Sequence, residues 1–229
     1  LACCGFTFLL GGGPIEMFCA FVGAGIGNYL RCKLTKYHFT LFLCIVSSVS
    51  LACFAYAGML KLGEILFGIS VQHEAGYICA MLFIIPGFPF ITSGIDLAKL
   101  DMRSGMERLM YALIVILVAT MSAWIMALIL HLKPVNFMKL SLTMSQWILF
   151  RILASFCGVF GFSIMFNSPV RLAVAAAGIG AVANTLRLEL VDLANIPPAA
   201  AAFIGALTAG LLASLLKNKV GYPRISVTV

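Results

Sequence analysis

Residues 84–96 read IIPGFPFITSGID, and this stretch decides the fold. It lies in an apolar run, 76–97, yet carries Pro86, Gly87, Pro89 and Gly94. A proline inside a helix removes a backbone donor and crowds the preceding turn, and Gly87 with Pro89 makes recovery within one turn difficult. The helix is expected to open near the middle of the membrane. Lipid offers freed peptide groups nothing to bond, so at that depth they persist only when buried in protein or facing a wet cavity. There they can meet a polar solute or ion. A simple proline kink is the competing reading.

The surroundings of this stretch establish that a membrane is involved. The chain of 229 residues is 62% hydrophobic and 10% charged, with a mean hydropathy of +1.10. Its apolar runs of about twenty residues match the ~30 Å of hydrocarbon in a bilayer. Alternating ten-residue segments of a membrane barrel are absent from the sequence, so the fold class is all-α: a polytopic integral membrane helical bundle. Eight spans are read, at 1–12, 14–31, 39–60, 76–97, 107–131, 146–166, 169–187 and 197–217. The first run is too short to cross unless residues precede it, so the chain is expected to be a fragment of a longer polypeptide. A signal peptide is not expected, since no basic region stands in front.

If loops alternate sides, Arg31, Lys33, Lys36, Lys99, Arg103, Arg108, Arg171, Lys217, Lys219 and Arg224 share one side, ten cations against five on the other. The positive-inside rule makes the richer side cytoplasmic. The N-terminus is then cytoplasmic too. This distribution accounts for the net charge of +7 without nucleic acid as a partner. Cysteines lie in apolar runs without paired spacing, a packing role. His38, His73 and His131 are far apart, each near an expected helix end; no metal site and no cofactor are read.

Gly5–Leu34 and Gly161–Leu190 resemble each other. With one-residue adjustments Gly5/Gly161, Phe6/Phe162, Pro14/Pro169, Gly23/Gly178, Gly25/Gly180, Asn28/Asn184, Leu30/Leu186 and Arg31/Arg187 fall into register. Shared Gly/Ala-rich composition is the alternative explanation. If the repeat is real, its offset spans five crossings, an odd number, so the second copy lies upside down: a 5+5 inverted repeat of the kind secondary transporters use. After the shared proline comes Glu16 in one copy and Arg171 in the other, acidic outside and basic inside. The domains follow: a first repeat at 1–131, an extracytoplasmic connecting loop at 132–145 and a truncated second repeat at 146–229. The second Pro-Gly break falls near residue 241, past Val229.

Thr92, Ser93 and Asp96 follow the break. SGID fits a capping box in which Ser93 and Asp96 tie down free N–H groups where a helix restarts, and SGME at 104–107 repeats the pattern. Asp96 is either that cap or a carboxylate that takes a proton or meets substrate. Its distance from Pro86, roughly 15 Å along a helix, suits a gate or proton port near the cytoplasmic mouth. Asn28 and Asn184 are expected either to line a shared pathway or to bond between helices. Glu16 and Arg171 are placed in first helical turns at the interface, and Arg151 is expected to snorkel.

LLGGG at 9–13, IIPGFPFITSGIDL with SGMERLMYALIV after it, FNSPVRLAVAAAGIGAV and LKNKVGYPRISVTV resemble the threonine/serine exporter family across essentially the whole chain. The resemblance implies ten crossings, a cytoplasmic N-terminal segment and export of small hydrophilic metabolites driven by the proton-motive force. Members split into two proteins are linked to dicarboxylate export. The resulting expectation is a plasma-membrane (bacterial inner-membrane) exporter of threonine or serine, coupled to protons. Pro86, Gly87, Thr92, Ser93, Asn28 and Asn184 are its substrate candidates, Asp96 its proton-coupling candidate, and homo-oligomerisation is left open. A small dicarboxylate such as succinate is the alternative cargo. A membrane-embedded enzyme finds no paired carboxylates or Ser/His set within the spans, and a passive channel or scaffold is the remaining class.

Overall fold

In the computed structural model, which describes residues 1–68, 76–132 and 143–220, every regular element is a helix. These are α1 (Ala2–Leu9), α2 (Pro14–Lys36), α3 (Leu41–Phe67), α4 (Tyr77–Ala80), a 3-10 turn (Leu82–Ile84) and α5 (Gly87–Ala98). There follow α6 (Met102–Ile129), α7 (Met144–Met165), α8 (Val170–Asp192) and α9 (Pro198–Val220). His73, most of the expected connecting loop and the closing stretch 221–229 lie outside the described residues.

Among the described residues five helices are long and apolar enough to cross a membrane: α3, α6, α7, α8 and α9. A sixth crossing arises if α4 with its 3-10 turn and α5 count as one span. The eight residues of α1 reach only about 12 Å. The 23 residues of α2 have the length, but carry Glu16, Asn28, Arg31, Lys33 and Lys36. Several helices outrun their apolar centres: α2 continues to Lys36 and α8 to Asp192. Lys33 and Lys36 sit in the last turn of α2, where exposed carbonyls favour cations. Left-handed residues stop α2 at His38, α5 at Leu100, α6 at His131 and α7 at Asn167. At α5 the terminal pattern is Asp101 N–H to the Asp96 carbonyl at 3.0 Å.

The burial pattern is that of helices packed in lipid. On α6 the buried positions are small, with Gly105, Ala112, Ala119, Ser122, Ala123 and Ala127 among them. Leu113, Leu117, Trp124 and Leu128 are exposed. In lipid large side chains gain nothing by turning inward, whereas small ones let backbones approach.

Contacts divide the chain into two units, Gly11–Lys139 and Leu1–Leu10 together with Leu140–Val229. In the first, α2 lies on α3, and α6 packs on α3 and α5. Gly27 marks the tightest approach: a Cβ there would stand 2.7 Å from Ala52 Cβ and 2.8 Å from the Ser48 carbonyl. Gly27→Leu is therefore expected to destabilise the protein by about 1–3 kcal/mol. Gly25→Leu, at a position with nothing within 4 Å, should stay within about 0.5 kcal/mol of wild type in detergent thermal unfolding.

In the other unit α1 runs antiparallel to α7. A Cβ on Gly5 would meet the Ala154 carbonyl at 2.6 Å, and one on Gly161 would meet the Ala2 nitrogen at 2.7 Å. The Phe6 and Phe162 rings meet between them in a tilted pair, centroids 5.4 Å apart. α8 then packs on α7, and α9 on α8.

Candidate functional site

The break is best understood by following its carbonyls. The 3-10 turn ends at Ile84, Ile85 is extended, and α5 restarts at Gly87 with Pro86 as its N-cap; the two helical pieces are bent by 54°. The Met81 carbonyl accepts from Ile84 N–H and the Leu82 carbonyl from Ile85 N–H, both at 3.1 Å. The next acceptor, Phe83, loses its partners: Pro86 has no N–H, and Gly87 N–H turns to the Ile85 carbonyl at 3.0 Å. Arg31, reaching across from α2, donates Nη1 to the Phe83 oxygen at 3.0 Å. Two groups are left over. Among the described residues the Ile84 carbonyl and the Phe88 N–H have no hydrogen-bond partner.

Thr92 and Ser93 are buried in α5, and their hydroxyls donate inside their own helix. Thr92 Oγ1 bonds the Phe88 carbonyl at 2.9 Å, and Ser93 Oγ bonds the Phe90 carbonyl at 2.7 Å. Only their oxygen lone pairs remain for another group. The expected capping box is corrected here: α5 restarts at Gly87, so Ser93 lies mid-helix and Asp96 in the last turn. Likewise α6 is capped by Asp101, whose carboxylate accepts from Ser104 N–H at 3.3 Å, while Glu107 pairs with Arg103 at 3.2 Å. Proline chemistry at 86 and the turn at Leu100 set these ends, ahead of the Ser-Gly pattern.

Asp96 accepts from Arg108 Nη1 at 2.6 Å, with the aspartate side chain 20% exposed and the arginine 51%. This ion pair clips the end of α5 to α6. Asn28 is half-buried on α2, one turn before Arg31. Asn184 belongs to the other unit and donates Nδ2 to Ser155 Oγ at 2.9 Å, joining α8 to α7. Its bond is therefore between helices.

Arg151 does not snorkel. It pairs with Glu189 at 2.7 Å and with Asp192, and lies over the Trp147 ring. Arg151→Gln leaves two carboxylates of α8 without their cation, one of them mostly buried. The expected loss is up to about 3 kcal/mol, read as a lower Tm in detergent. Beside this group Thr185 Oγ1, Arg187 Nε and Glu189 Oε2 are buried without partners among the described residues.

Sequence reading missed two residues. Arg31 counted only as a loop cation, yet it sits inside α2 and serves the break. Its alignment with Arg187 in the sequence was the available signal. Glu16 does lie in the first turn of α2, accepting from Gly13 N–H at 2.8 Å, but it is fully buried. Nothing local distinguishes such a carboxylate from an interfacial one.

An all-helical chain with crossing-length apolar helices is, by class, an integral membrane protein. The threonine/serine exporter family model matches residues 1–131, and a second, described as Threonine/Serine exporter, ThrE, matches residues 151–229. The chain belongs to the threonine/serine exporter family. No curated protein and no solved structure matches it.

Proposed function

We propose that the chain is a secondary transporter of the plasma (bacterial inner) membrane that exports threonine or serine against protons. The carrying observation is the pair of unpartnered peptide groups, Ile84 C=O and Phe88 N–H, either side of Pro86 and Gly87. A zwitterion offers an ammonium to the first and a carboxylate to the second. Thr92, Ser93 and Asn28 contribute acceptors and an amide beside the path, and Asn184 fills the equivalent place in the second copy. The bent helices 77–84 and 87–98 act as one discontinuous span.

The 5+5 inverted repeat is supported by the α1–α7 contact, and with it the proposal keeps eight spans in this stretch and a cytoplasmic N-terminus. Two copies related by a two-fold axis make reciprocal contacts. Phe6 touches its equivalent Phe162, and the close approaches at Gly5 with Gly158 and at Ala2 with Gly161 exchange under the repeat offset. This also accounts for a repeat boundary near 131–146 while α1 packs with the later helices. Lys33 and Glu189 occupy equivalent positions with opposite charge, as Glu16 and Arg171 do.

Asp96, tied to Arg108, is the proposed proton port at the cytoplasmic mouth. The test is threonine flux in proteoliposomes with and without a pH gradient: accumulation with the gradient is expected, and flux that ignores it removes proton coupling. The Arg31 guanidinium beside the break favours a second reading, a dicarboxylate such as succinate. Competition by succinate stronger than by serine in the same assay selects it.

A further inference from the structure

A threonine inside a helix commonly donates its hydroxyl hydrogen back to a carbonyl of the preceding turn. Thr7, Thr35, Thr92, Thr120 and Thr208 all do so here. Thr185, within α8, does not. It is buried, at 8% exposure, and its Oγ1 has no hydrogen-bond partner among the described residues. One turn further along, Glu189 accepts from Arg151 Nη1 on Oε1, at 2.7 Å, and leaves Oε2 enclosed and equally without a partner.

Positions four apart on a helix share a face, with Cβ atoms ~5–6 Å apart, so one small ligand can bridge the two oxygens. The facing helix supplies a third. Arg151 of α7 meets Glu189, and Ser155, one turn along α7, meets Asn184, so Ser155 stands at the level of Thr185. Ser155 is fully buried, and its Oγ accepts from Asn184 Nδ2 at 2.9 Å with a second lone pair to spare. The charges give the ligand's sign. On this face of α8 the Glu189 and Asp192 carboxylates share a single guanidinium, Arg151, which lies over the Trp147 ring. Arg187 is not the missing partner: residues two apart do not face each other on a helix, and its stem lies against Gly205 of α9. Enclosed carboxylate and hydroxyl oxygens are costly when bare, and a cation held between them offsets that cost.

We propose that the α7–α8 pair binds one small cation between Thr185 Oγ1, Glu189 Oε2 and Ser155 Oγ, with Arg151 as the positioning residue that fixes the carboxylate. The shared chemistry is a compact monovalent charge, supplied either by an alkali-metal ion or by the ammonium of an amino-acid cargo. The site belongs to the other unit from the break at Pro86 and holds whether or not export is coupled to protons. Only the ammonium source rests on the export reading.

The test is thermal unfolding of the purified protein in detergent, in sodium chloride, methylammonium chloride or choline chloride at equal concentration, choline being too bulky to sit between oxygens one helical turn apart. Wild-type Tm is expected to be a few degrees higher in sodium or methylammonium than in choline and to rise with concentration. Thr185→Val and Glu189→Gln are expected to lose that difference. Valine matches threonine in shape and glutamine keeps an oxygen for Arg151, so both variants should fold. A rise in sodium alone assigns the site to an inorganic ion, and a rise in methylammonium assigns it to a cargo amino group. Equal Tm in all three salts overturns the proposal and leaves a structural water between the oxygens; a response that survives in either variant overturns it too. Threonine flux, which tests the export reading, is measured separately from all of these. A second readout uses Trp147 as the reporter, in a Trp124→Phe background that removes the other tryptophan. Its emission is expected to change over the same cation concentrations as Tm, and emission that stays constant counts against the site.

Discussion

Asp96→Asn is expected to reduce threonine accumulation driven by a pH gradient to background while the protein folds and inserts normally. The substitution removes one partner of an ion pair whose arginine is half exposed. Such a pair contributes about 0–1 kcal/mol, too little to threaten the fold. The end of α5 is held by backbone bonds from Lys99 and Asp101 to the Asp96 carbonyl, which asparagine retains. On the proposed reading, what is lost is the carboxylate that carries the coupled proton. Arg108→Gln separates the two roles. If the ion pair only fastens α5 to α6, both variants transport alike; if Asp96 carries the proton, only Asp96→Asn loses the gradient.

Arg31→Gln should lower both transport and stability. The Phe83 carbonyl is orphaned by Pro86 and buried, Phe83 being 3% exposed, and the guanidinium is its replacement donor. Hydrogen bonds from charged donors contribute about 1.5–3 kcal/mol, and an unpaired buried carbonyl costs a similar amount. The shorter glutamine cannot span the gap from α2. A drop in Tm together with a several-fold lower initial rate is the expected result, with Arg31→Lys recovering part of both through its single ammonium. Wild-type Tm and rate in Arg31→Gln contradict the assigned contact.

The all-helical fold was legible because lipid leaves an apolar run few alternatives, and Pro86 announced the interruption. Helix ends were less so. They depend on left-handed residues such as Leu100 and His131, whose conformations no local pattern dictates. The Ser-Gly capping pattern was outcompeted by the restart at Gly87 and by Asp101. Within the candidate site, Pro86 and Gly87 were readable as backbone chemistry. Arg31 was not, since its partner lies 52 residues away in sequence. The burial of Glu16 is equally non-local, set by α3 and α4 closing over the first turn of α2.

The central claim is that peptide groups freed at the Ile85–Pro86 break receive the cargo. Its most direct test is solid-state NMR of the protein in lipid, labelled at the Ile84 carbonyl carbon and the Phe88 amide nitrogen. Saturating threonine is expected to shift both resonances and leave the Arg31-bound Phe83 carbonyl unmoved. Unchanged Ile84 and Phe88 signals during demonstrated threonine transport contradict it.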